Sequence, residues 1–143
     1  MRVGIGLTLF YLGALNALLV VNLGTCTQGD ATRLWGGVLT ATLYGVASVL
    51  LSRTSRPQLA ALLLAPAVLV VLGQTAFAFK LLALSADGKP ACDLLENITG
   101  YPRDGNEASY AAVWVTVAAA GWLTVGLVVA NLVRTHKAQE PTG

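Results

Sequence analysis

Four long stretches of this chain lack the alternation of apolar and polar positions that a soluble domain shows. The runs 3–23, 34–51, 57–84 and 109–133 are almost continuously apolar, broken only by single polar residues. Hydrocarbon about 30 Å thick takes roughly 20 apolar residues in a helix, so each run predicts one membrane span. The polar remainder is short: connectors 24–33, 52–57 and 85–108, and a tail, 134–143. The expected fold class is an all-α membrane protein, a four-helix transmembrane bundle of two helical hairpins with a short structured extracytoplasmic loop. The whole chain, 1–143, makes a single membrane domain.

Within the runs, local pattern predicts how the helices end and pack. The first is longer than the roughly 7–15 residue apolar core of a signal peptide. It also contains Tyr11, Asn16 and Asn22, and Thr25 suits a lipidated Cys26 poorly, so it is expected to be a retained span. In the second, Gly37, Ala41, Tyr44 and Ser48 recur at helical spacing on one face. Small residues let membrane helices approach closely, so this row predicts helix packing. Pro57 suits the first turn of the third span, and Pro66 inside that span removes a backbone donor and predicts a kink. Near the far end of the same span, Lys80 has a stem long enough to reach the headgroups, while Gln74 lies deeper and predicts an interhelical hydrogen bond. In the fourth, Tyr110 and Trp114 stand where an aromatic belt would, and Thr116, Ala120, Thr124 and Asn131 share a weakly polar face.

Composition agrees with the pattern. The 143 residues are 55% hydrophobic and 11% charged, with a mean hydropathy of +0.68, against about 25% charged in soluble domains. The net charge of +2 comes from scattered basic residues, which excludes the basic stripe of a nucleic-acid binder. With four spans, Arg2, Arg53, Arg56, Arg134 and Lys137 share a face with Glu140, and Arg33, Lys80, Lys89 and Arg103 share the other with the remaining acids. The count of five basic residues against four favours cytoplasmic termini. Ala/Leu/Val-rich, Lys-poor usage suggests a bacterium, hence an inner-membrane, multi-pass location in which the sequon Asn97-Ile98-Thr99 carries no meaning.

Candidate chemistry is sparse. The two cysteines, Cys26 and Cys92, fall in loops on the same face, and an even count in an oxidising compartment predicts a disulfide. In the 85–108 loop, 86–90 and 101–105 have the composition of turns. Leu94, Leu95 and Ile98 give one apolar face, and Asn106 and Glu107 suit the start of the fourth helix. Asp93, Glu96, Asp104 and Glu107 are the outer-face acids; a divalent cation is a weak alternative to their simply solvating the loop. Within the spans, Tyr11, Asn16, Tyr44 and Gln74 are the candidate ligand or packing residues. No base–nucleophile arrangement, CxxC pair or phosphate loop is present, so no catalytic residue, metal or cofactor is expected. No acid lies inside a span, which argues against proton-coupled transport. The expected function is a non-catalytic accessory or structural subunit, or interaction partner, of a membrane complex, with the 85–108 loop as docking surface. The alternative is a passive carrier or pore for a small molecule, lipid or quinone. Expected partners are membrane lipids and other membrane subunits, or further copies of the chain.

Overall fold

The computed structural model describes residues 2–23, 31–91 and 107–138. All regular structure among them is helical: α1 Arg2–Leu23, α2 Ala31–Ser52, α3 Pro57–Leu64, α4 Ala67–Ala86 and α5 Glu107–Lys137. Four of these helices, all but the eight-residue α3, are long and apolar enough to cross a membrane.

The expected third span, 57–84, is two helices rather than one bent helix. Pro57 occupies the first helical turn of α3, where its missing N–H is no loss. Eight residues on, the ladder is interrupted at Ala65 and Pro66, because Pro66 cannot donate to Leu62 O and its ring crowds that carbonyl. Across the break, Ala65 N–H donates to Ala61 O at 3.1 Å and Val68 N–H to Ala65 O at 3.2 Å. The second helix then runs on to Ala86, two residues beyond the expected boundary. It ends in a Schellman turn: Gly88 takes φ 68°, with its N–H on Ser85 O at 3.2 Å and the Lys89 N–H on Leu84 O at 2.8 Å.

α2 is the central helix, packing extensively on α1 along one face and on α5 along another. Both contacts rest on missing side chains. A Cβ at Gly6 or Gly13 of α1 would press on Leu51 or on the Tyr44 ring, and one at Gly36 of α2 would press on Val20. These contacts recur every seven residues along α1 (Gly6, Gly13, Val20), while their partners on α2 run from Leu51 back through Tyr44 to Gly36. The pair is therefore antiparallel with a heptad-like seam. Within the row Gly37, Ala41, Tyr44 and Ser48, Gly37 lies against Val113 and Trp114 of α5, and Tyr44, which also meets α1, lies against Gly121. α2 and α5 thus run parallel. α4 packs chiefly on α5, whereas α1 barely touches α3 and α4.

Two aromatic expectations change. Tyr110 and Trp114 do not form an outward belt; they are buried, 5% and 2% exposed, and the Trp114 ring meets Phe77 edge to face at 5.1 Å. They turn inward because α5 buries the positions Tyr110, Trp114, Val117, Gly121, Thr124 and Val128, one helical stripe. Thr116 is exposed, so the stripe expected through Thr116, Ala120, Thr124 and Asn131 only partly faces the interior.

Candidate functional site

Of the four candidates in the long apolar helices, the structure brings Tyr44 and Gln74 together. The Tyr44 side chain is fully buried, and its hydroxyl lies 3.1 Å from Gln74 Oε1 and 2.9 Å from Gln74 Nε2. Its ring stacks on Phe10 at 4.4 Å. Gly13 and Gly121 approach it so closely that added Cβ atoms would stand 3.0 and 3.4 Å from ring carbons. The backbone carbonyl of Tyr44 accepts from Thr124 Oγ1 at 3.2 Å. One residue thus ties α2 to α1, α4 and α5, and the ring is gripped too tightly to share its place with a ligand.

Asn16 serves the α1–α2 seam. Its Nδ2 donates to Gly36 O at 2.9 Å and to Thr40 Oγ1 at 3.0 Å. Tyr11 stands apart from both pairs. Its hydroxyl donates to Leu63 O, 2.6 Å away, one residue past the carbonyl that Pro66 leaves without a donor. A neighbouring side chain here meets a carbonyl at a helix break, the arrangement by which apolar surroundings tolerate a proline.

Around Tyr11 lies a groove of about 540 Å³ between α1 and α3, with Leu12, Leu15, Leu62 and Pro66 in its walls. It continues toward the chain's N-terminus into a second cavity of about 710 Å³, which shares Leu7 and Leu63 and opens among Arg2, Arg53 and Arg56. The connector holding two of these arginines is fixed from both sides. The Arg56 N–H bonds Thr54 Oγ1 at 3.2 Å, and Asn131 Nδ2 of α5 reaches Thr54 O at 3.1 Å. The sequence offered these arginines only as a charge count; their convergence needs the register in which the start of α1 meets the end of α2.

At the opposite end, Val21, Arg33, Leu81, Ala91 and Tyr110 gather around a small void of about 10 Å³. Arg33, expected in a loop, lies in α2 and is 4% exposed; Glu107 opens α5 and is 7% exposed. Lys80 is exposed, and Lys89 pairs with Asp87 at 3.7 Å on the surface. Asp93, Glu96, Asp104, Cys26 and Cys92 lie outside the described residues, as does the apolar face Leu94, Leu95 and Ile98. Among the described residues, no three His, Cys, Asp or Glu side chains come together as a metal site. Compared with protein families, curated proteins and solved structures, the chain matches none.

Proposed function

We propose that the chain is a membrane-embedded, non-catalytic accessory or structural subunit that works by contact with other membrane components. One observation carries the reading: the interior is closed at mid-length by the Tyr44 junction, whose polar atoms bond one another. The buried polar residues between Arg33 and Thr54 on α2, and those facing them, are Thr40, Ser48, Gln74 and Thr124; none is an acid or a base. A proton relay or coupled carrier needs such a group in the interior. The alternative, a passive carrier or pore, finds support in the α1–α3 groove rather than in the packed centre.

The 85–108 loop is assigned the docking role on its acids and turns, and the termini are assigned to the cytoplasm of a bacterial inner membrane. Arg2, Arg53, Arg56, Arg134 and Lys137 at one end support that orientation. A Cys26–Cys92 disulfide at the other end fits with it, since the described residues flanking both loops gather there. Labelling with a thiol-reactive polymer before and after reduction tests the bridge; full labelling without reductant rules it out. Co-purification from membranes in mild detergent tests the function. A stoichiometric partner or a defined homomer is the expected result, and a lone, ligand-free monomer overturns it.

A further inference from the structure

We propose that the groove between α1 and α3 is a site for an anionic phospholipid, with the phosphate held by Arg2, Arg53 and Arg56 and one acyl chain laid along the leucines beside Tyr11. The proposal rests on the chain being membrane-embedded. Three observations converge on it.

The first is continuity of two unlike surfaces. The cavity lined by the arginines and the apolar groove share Leu7 and Leu63, so a charged mouth leads directly into a hydrocarbon-lined channel open to the side. At the mouth, Gly4 has nothing within 4 Å of where a Cβ would stand, which leaves room for a headgroup.

The second is charge. Among the described residues, no Asp or Glu lines either cavity. The described acids, Asp87 and Glu107, lie at the opposite end of the helices. Among the described residues, none of the three guanidinium groups is in a hydrogen bond or ion pair. Guanidinium matches phosphate with paired N–H donors, and basic pockets between membrane helices on the cytoplasmic side are where anionic headgroups bind. A second copy of the chain docking through the same face would set these arginines against their equivalents, which opposes that occupant.

The third is length. From Arg2 to Leu15 along α1 is about 20 Å at 1.5 Å per residue, close to half of a hydrocarbon core about 30 Å thick plus a headgroup. A lipid of one leaflet fits this span, and a free phosphate would leave most of it empty. The break at Pro66 ends the groove at that depth, and the Tyr11 to Leu63 bond holds α1 and α3 at their separation there.

The test uses the full chain, first shown to remain in membranes through an alkaline carbonate wash, then purified in nonionic detergent. Phosphatidylglycerol, phosphatidylcholine and glycerol phosphate are titrated in turn, with bound ligand read by native mass spectrometry. Phosphatidylglycerol is expected to bind about tenfold or more tightly than phosphatidylcholine. The pair Arg53→Gln with Arg56→Gln should weaken it by about ten- to thirtyfold and erase the preference. Arg134→Gln with Lys137→Gln, at the same end but outside the groove, should change it less than about twofold. Leu12→Trp, which fills the apolar channel and keeps the arginines, should weaken both phospholipids. Equal binding of the two phospholipids overturns the proposal. So does glycerol phosphate matching phosphatidylglycerol, or an equal loss from the Arg134 and Lys137 pair. Release of the chain by carbonate overturns the membrane reading itself, a distinct failure.

Discussion

Tyr44 concentrates in one side chain the contacts that relate α2 to the other three long helices, and among the described residues its hydroxyl is partnered by the Gln74 amide alone. Tyr44→Phe keeps the Phe10 stack but strands that amide in an apolar interior, a loss of about 1–2 kcal/mol. Gln74→Leu alone strands the hydroxyl in turn. Combining the two replaces both partners with apolar groups, so the double variant is expected to recover much of the stability of either single one. Thermal unfolding in detergent micelles measures this; simple additivity would mean that the pair does not interact. Each of these residues was legible in the sequence as a polar position in an apolar run, since a lone Gln in a span is conspicuous. That Tyr44 and Gln74 meet while Asn16 and Tyr11 go elsewhere was not, because periodicity assigns a residue to a face without saying which helix covers it.

Helices α1, α2 and α5 approach through glycines, and those glycines differ sharply in what surrounds them. Gly36 and Gly37, adjacent in sequence, serve different faces of α2, against Val20 and Val113. Gly36→Ala or Gly37→Ala is expected to destabilise the fold by about 1–3 kcal/mol through overpacking. Gly45, Gly73 and Gly126 have open space at the same position, so alanine there should be neutral or stabilising by up to about 1 kcal/mol. A thermal-shift series across the five sites discriminates them. The break between α3 and α4 yields a coupled test. Tyr11→Phe should lose about 1 kcal/mol by removing the donor to Leu63 O. With Pro66→Ala in place, a restored helical ladder can supply that carbonyl, and the same substitution should then matter little. The four helices long and apolar enough to cross a membrane were plain in the sequence, because a run of about 20 apolar residues is long enough for one crossing. The sequence marked Pro66 as a bend, but a kink and a full break share one signal, and only the packing of α3, chiefly against α5, distinguishes them. Tyr110 and Trp114 misled for a related reason: aromatic rings near a span's end suit both a lipid-facing belt and a buried contact with Phe77.

As a whole, the molecule is held along a line of contact, α1 to α2 to α5 to α4, rather than around a ring. The seam between α1 and the α3–α4 pair is thinly packed, and that is why a groove opens there. The arginines at its mouth come from chain positions about 50 residues apart and belong together only because α1 and α2 are antiparallel. The same line of contact bears on how the chain is made. α1 and α2 find each other as soon as both are synthesised, but α3 and α4 emerge before their main partner exists and touch α2 through little more than Gln74. A ribosome-bound or truncated chain ending before Glu107 should therefore hold a protected α1–α2 pair beside an α4 open to lipid and to proteases. Limited proteolysis of such truncated chains in membrane vesicles measures this: cleavage should fall between Arg53 and Ala91 and cease once α5 is present. Assembly then waits on α5, and a factor that recognises unpaired apolar helices has its window on α3 and α4.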